Sequence, residues 1–265
     1  RHAAKPIRLG QLGGNRFRIL IRGAVGGARG RQLIHASLSA LRSSGFVNYY
    51  GLQRFGDCAG RNDTVGRALL LGDYVGAVDA LLRSGDAEGT SAEREARDVW
   101  LQSGDARLAH RLMPRSRPLE RELLKRLAVQ SDDNDRAHYD GLSYDERCRA
   151  AVLGLPLSVR RLLAHAYFSK IWNVAASERL RRHGLTAARE GELVIAPARS
   201  DECVSPYGRR GAVHTVTADE ARSGAFDISC VVLPLPGAAV IYPTDDVGMV
   251  YRQMLSHDGI EPLEP

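Results

Sequence analysis

The chain has 265 residues, 44% hydrophobic and 26% charged, the composition of a soluble globular protein with material for one large or two ordinary domains. Lys+Arg 37 against Asp+Glu 31 gives a net charge of +6, nearly all of it carried by arginine, a moderate excess that fits a polyanionic partner. No apolar run reaches the length of a membrane span, and Cys58, Cys148, Cys203 and Cys230 are scattered without a Cys-x-x-Cys pair, which excludes a zinc finger or a dense disulfide scaffold and leaves four reduced thiols as the expectation.

In chain order, Phe17, Ile19 and Ile21 alternate with Arg16, Arg18 and Arg22, a period of two that predicts a half-buried strand, with Asn15 as a turn residue before it. Residues 31–44 place Leu33, Ile34, Leu38 and Leu41 at helical spacing, and Gly45 suits the position just past a helix C-terminus. His35 reads as an ordinary helix residue. The helix delivers the chain into Gly45-Phe46-Val47-Asn48-Tyr49-Tyr50-Gly51-Leu52-Gln53-Arg54-Phe55-Gly56, where three glycines enclose four aromatic rings.

That stretch fits neither a helix face nor an alternating strand, and reads as a shaped loop with Gly45, Gly51 and Gly56 as corners. Asn48 and Gln53 each donate and accept, Arg54 presents a planar fork of donors, and Tyr50 presents a flat face. Together they could hold an unstacked base: a ring to stack on, hydrogen bonds for the base edge and a cation for the phosphate. The same residues also fit a glycine-rich turn between core helices with its aromatics buried.

Beyond the loop, Asp63-Thr64 is positioned to cap a helix through Leu71, and Asp73 another through Leu82. Residues 84–145 stay helix-compatible but rich in Arg, Asp and Glu, and the acidic run at 131–135 reads as a solvated loop or insertion, with no pocket to make it a metal site. Leu155-Pro156 starts a long helix closed by Gly184. One face carries Leu162, Ala166, Ser169, Asn173 and Ala176, the adjacent one Leu163, Tyr167, Ile171 and Val174. Tyr167 and Trp172 are expected to pack; Asn173, Arg179 and His165 are expected in structural roles, with Asn173 and Arg179 fixing neighbouring loops, and contact with RNA as the alternative for those two. Short strands are predicted at 192–195, 213–216 and 231–233, the last buried and stopped by Pro234 and Pro236, with a brief Thr217-capped helix between and a last helix at 247–255.

The loop resembles the signature of the TruD family of RNA pseudouridine synthases, whose pattern is close to Asn-Tyr-(Phe or Tyr)-Gly-x-Gln-Arg-Phe-Gly, in a form nearer the eukaryotic and archaeal branch. Residues 158–180 are similar to a second family helix, and Val231-Val232-Leu233-Pro234-Leu235-Pro236-Gly237 to a third segment, with Cys230 where the family carries Asp. The resemblance implies an α+β fold: a partial catalytic domain with a mixed or antiparallel sheet over 1–83, a charged helical connection or insertion over 84–154, and a helix-rich inserted domain over 155–265. It implies isomerisation of uridine to pseudouridine in tRNA, or in rRNA or mRNA, with no metal and no organic cofactor. Asn48 would hold the catalytic aspartate, Tyr50 would stack on the target uracil, and Gln53, Arg54 and Phe55 would contact the RNA.

The family's aspartate sits in a Gly-x-Lys-Asp motif that does not occur in this sequence, and its closing catalytic strands do not follow Gly259. Two expectations follow. Either these 265 residues are a fragment of a longer enzyme, or a partner chain or a noncatalytic ribonucleoprotein role accounts for the difference. No leader sequence is readable, and nothing distinguishes nucleus, cytoplasm or mitochondrion.

Overall fold

The computed structural model describes residues 16–23, 26–56, 61–83, 90–129, 142–195, 212–237 and 240–260. The elements are α1 (Gly27–Ser44), α2 (Leu52–Phe55), α3 (Arg61–Leu71), α4 (Tyr74–Arg83), α5 (Ser91–Ser103), α6 (Ala106–Leu112), α7 (Pro118–Val129), α8 (Tyr144–Leu153), α9 (Leu157–His183), β1 (Leu193–Ile195), β2 (Val213–Thr215), α10 (Ala218–Ser223), β3 (Val231–Val232) and α11 (Asp246–His257). This helix-rich chain with one small antiparallel sheet bears out the α+β expectation. Asn15, Cys58, Cys203 and the acidic run at 131–135 lie outside the described residues, whereas Cys148 and Cys230 are free thiols.

The chain divides into two compact units that interleave in sequence. One contains Arg1–Asn48, Ala175–Pro234 and Ile241–Val250; the other contains Tyr49–Val174, Leu235–Val240 and Tyr251–Pro265. Residues 84–154 fall wholly within the second.

The second unit is a helical bundle whose core follows from the sequence periodicity. In α4 the buried residues are Ala77, Val78, Leu81 and Leu82, a stripe at one helical turn, and Asp73 ahead of it accepts the Gly76 N–H at 2.7 Å. In α5, Thr90 accepts the Glu93 N–H, and Glu93, Ala96, Arg97 and Trp100 share the buried face. These stripes meet Val65 of α3, Leu123, Leu124 and Leu127 of α7, Cys148, Ala151 and Val152 of α8, and Leu163 of α9 in one core. Each fully buried Val or Leu contributes about 1.5–3 kcal/mol, so this cluster is the main source of the unit's stability.

Gly66 shows how closely α3 and α9 approach, because a Cβ there would lie 2.1 Å from the Leu163 carbonyl oxygen. One turn along α9, Tyr167 donates from its hydroxyl to Asp258 at 2.9 Å, and Arg67, next to Gly66, pairs with the same carboxylate at 3.0 Å. Burial and this anionic partner together push the Tyr167 hydroxyl well above the usual tyrosine range.

The first unit holds the sheet, with strand order β2-β1-β3 and both pairs antiparallel. Leu193 faces Thr215 on one side and Val232 on the other. Val194, Ala188 and Val216 are its buried centre, with Phe226, Cys230 and Val231 packed around them. Thr217 and Glu220 form the reciprocal capping box expected at the start of α10. β3 is half-buried rather than buried, since Val231 and Val232 occupy an edge with one neighbour.

Arg179 is buried in this unit and satisfies several groups at once. Its Nε and Nη2 reach Glu192 at 2.8 and 3.2 Å, and it donates to the carbonyls of Gly184, Thr186 and Ala187. The loop-fixing role expected for Arg179 is what these bonds perform.

One strand expectation fails. Residues 16–23 carry no regular secondary structure, are exposed and pair with no described segment, and Phe17, Ile19 and Ile21 are each more than three-quarters exposed. Alternation provides a face, and a ladder needs a second strand beside it. Similarly, α1 ends at Gly45 as predicted and begins four residues earlier than expected, at Gly27, but none of its residues is buried.

Candidate functional site: an asparagine-clamped aromatic loop

The stretch from Gly45 to Gly56 contains one element that the sequence reading missed, the single turn α2. Gly45 and Gly56 do act as corners with positive φ of 70° and 91°, whereas Gly51 is extended at φ −117° and serves as the α2 N-cap. The Gly51 carbonyl accepts from Arg54 N–H at 2.8 Å, and Gly56 N–H closes the turn on Leu52 at 2.7 Å. A turn this short cannot hold itself. Its fixation comes from two asparagines.

Asn173 of α9 accepts the Tyr50 N–H at 3.0 Å and donates its Nδ2 to the Tyr50 carbonyl at 2.9 Å. The backbone groups fix which end of the amide is which, since an N–H can only donate and a carbonyl only accept. Asn62 of α3 donates to the Arg54 carbonyl at 3.1 Å. Its amide also packs against Gly56, where a Cβ would lie 3.4 Å from Nδ2. Between the two, Lys170 of α9 pairs with Asp63 of α3 at 2.7 Å, and the Asp63 side chain is only 3% exposed. Asp63 therefore sits in the first turn of a helix that begins at Arg61, and does not cap it from outside.

Thus held, the Tyr50 ring is half-buried. Trp172 meets it edge to face with centroids 5.5 Å apart and planes at 85°, and the Arg54 guanidinium lies 5.3 Å from the ring centroid. Trp172 packs as the sequence implies, but against the loop and not in the bundle core. Arg54 and Phe55 are half-buried, Gln53 is exposed, and Asn48, in the other unit, is exposed. The structure brings Tyr50 and Arg54 into direct contact; His165 is exposed on α9 beside Phe168. Asn62 and Lys170 were not singled out from sequence, and Asp63 was read only as a helix cap. Lys170 stands three residues before Asn173 on α9, a spacing that puts both on one face and could have flagged it.

In the first unit, His183, Asp245 and Asp246 bring three potential ligand atoms within 4.8 Å of one another. Asp246 already pairs with His183 Nε2 at 3.0 Å and Arg182 at 3.1 Å, and Asp245 Oδ1 accepts the N–H groups of Val247 and Gly248. The hydrogen bond from His183 holds the Asp246 carboxyl below the usual range, and burial pushes that of Asp245 above it. Asp246 thus joins His183 and Arg182 in an ion-pair network, with Asp245 beside it turned to the start of α11.

Comparison with known proteins places this geometry in a lineage. The sequence pattern described as tRNA pseudouridine synthase D (TruD) matches residues 1–264. Pseudouridylate synthase PUS7L of Homo sapiens is 36% identical over 262 residues, covering 96% of this chain and 35% of that protein. Multisubstrate pseudouridine synthase 7 of Schizosaccharomyces pombe is 31% identical, over 97% of the chain and 37% of its own length. tRNA pseudouridine synthase D of Geobacter metallireducens is 32% identical, over 99% and 57%. The chain therefore spans about a third of the eukaryotic relatives and rather more of the bacterial one. A crystal structure of tRNA pseudouridine synthase D from Methanosarcina mazei shares the fold, with a TM-score of 0.65 at 20% identity over 88% of this chain and 50% of that one. By sequence match over almost its entire length, the chain belongs to the TruD family.

Proposed function

We propose that the chain is the loop-bearing and inserted portion of an RNA pseudouridine synthase that converts uridine to pseudouridine in tRNA or another structured RNA. The observation that carries this reading is the fastened Tyr50 ring with Arg54 beside it. An aromatic face for a flipped base, next to a guanidinium for phosphate, is what recognition of an extruded nucleotide needs. The names of the relatives supply the reaction: the bond from uracil N1 to the ribose C1′ breaks, the base turns, a bond from C5 to C1′ forms, the C5 hydrogen leaves as a proton, and N1 takes up a proton. No net oxidation occurs and no cofactor is consumed.

In this reading Tyr50 stacks on the target uracil, Asn48 supports the catalytic aspartate, and Gln53, Arg54 and Phe55 contact the RNA around it. The aspartate itself is supplied from outside the 265 residues. Domain roles follow the same reading: residues 1–83 belong to the catalytic domain, 84–154 to a helical connection, and 155–265 to the inserted domain.

Tritium release from tRNA transcripts carrying 5-tritiated uridine, incubated with the full-length protein, tests the reaction. Release that falls steeply but measurably in Tyr50→Ala supports the proposal. Tight RNA binding with no release would favour a noncatalytic RNA-binding or ribonucleoprotein assembly role, the second reading that the missing Gly-x-Lys-Asp motif suggests.

A further inference from the structure

We infer that Asn173, with the Lys170–Asp63 pair and Asn62, forms a positioning frame that sets the height and tilt of the Tyr50 ring, so that Asn173 governs the chemical step without touching the RNA. The inference rests on the proposed function and deepens it by naming residues outside the signature loop that its action requires.

α2 is one turn long and none of its residues is buried, so the loop has no core of its own to fix Tyr50. Both polar backbone groups of Tyr50 are instead taken by one side chain 123 residues away. A two-point contact to a single residue fixes orientation as well as distance, which one hydrogen bond does not.

The following turn is held by Asn62 through the Arg54 carbonyl, so the segment carrying ring and guanidinium is anchored at both ends. Each anchor belongs to a different helix. The spacing between those helices is set by the Asp63–Lys170 bond and by Gly66 lying directly against the Leu163 backbone. Residue 173 itself follows Trp172, whose ring abuts the edge or face of Tyr50. α9 thus holds the backbone of Tyr50 with one residue and its ring with the preceding one.

A reacting base displaced by about 1 Å can cost on the order of 100-fold in rate, whereas binding spread over many phosphate contacts changes little. Loss of the frame therefore lowers the rate of the chemical step far more than RNA affinity. In the full-length protein, Asn173→Ala is expected to reduce the single-turnover rate about 10- to 100-fold while the RNA Kd moves less than about threefold. Lys170→Met, which leaves Asp63 without its cation, is expected to act in the same direction and more weakly.

The deciding measurement is a double-mutant cycle. Once Tyr50→Ala has removed the ring, adding Asn173→Ala should cost little more, because nothing remains to be positioned. Equal losses from Asn173→Ala with and without the Tyr50 ring would overturn the inference. A second measurement is independent of activity: amide hydrogen exchange at residues 49–56 should speed up in Asn173→Ala with the α4 and α7 amides unchanged. Unaltered exchange at 49–56 would likewise overturn it. If exchange speeds up but the unsubstituted protein isomerises no uridine, the frame stands and the proposed reaction falls. Asn173→Ser, whose hydroxyl is too short to reach both groups, carries the same test should alanine prevent folding.

Discussion

Asn173 grips Tyr50 by its N–H at 3.0 Å and its carbonyl at 2.9 Å, a contact that joins residues 123 positions apart. It turns a glycine-flanked loop into a fixed aromatic platform.

If the ring is a stacking surface, its aromatic face matters and its hydroxyl does not. Tyr50→Phe should bind RNA within about twofold of the unsubstituted protein, whereas Tyr50→Ala should lose about 1–3 kcal/mol, the range for one base–aromatic stack. Fluorescence anisotropy with a labelled tRNA transcript measures both.

Gly66 is tolerated only because α3 runs against the α9 backbone at Leu163. Gly66→Ala places a methyl group where a carbonyl oxygen stands, so the helices must separate. A loss of about 1–3 kcal/mol is expected from such overpacking, read by urea denaturation. Because separation also disturbs Asn62 and Asn173, RNA isomerisation should fall with it.

Arg179 and Glu192 are both nearly fully buried, and Arg179 also ties down the carbonyls of 184, 186 and 187. Arg179→Met leaves Glu192 as an unpaired buried charge, and a cost of roughly 3–5 kcal/mol is expected. Thermal unfolding of Arg179→Met against the double variant with Glu192→Met separates the pair from the orphaned charge: the double variant should recover part of the loss.

Two carboxylates should respond to pH with opposite signs. The hydrogen bond from Arg117 outweighs burial and holds Glu93 below its usual value, so its contribution is present above the unfolded value of 4.5 and lost as pH falls through the lower folded one. Glu93→Gln should therefore reduce stability at pH 7 and flatten the acid limb of a Tm-against-pH curve. Asp245 is raised instead, chiefly by burial, so ionising it at neutral pH costs stability. Asp245→Asn keeps the Oδ1 cap on α11, and its Tm gain at pH 7 should vanish as pH drops below the ordinary aspartate value of 3.8.

Much of this was legible in the residues, and the exceptions share a cause. Local signals worked where the determinant is local. The Thr217 and Asp73 caps and the Gly45 terminus of α1 are each set by neighbours within four residues. The strand expected at 16–22 failed because pairing is a property of two segments and only one is visible in a periodicity. The Asn62, Asp63 and Lys170 frame was overlooked for the same reason. Each is an ordinary polar residue until α3 and α9 are brought together, and nothing in the sequence marks that approach except Gly66. Tyr50, by contrast, could be singled out because a ring between glycines is chemically unusual on its own.

The central claim is that the Tyr50 loop serves uridine isomerisation, and mapping pseudouridine in RNA from cells lacking the full-length gene tests it most directly. The account predicts that specific tRNA or other structured-RNA positions lose the modification and regain it with the unsubstituted gene but not with Tyr50→Ala. Pseudouridine unchanged at every position in the deleted cells, or fully restored by Tyr50→Ala, would contradict it.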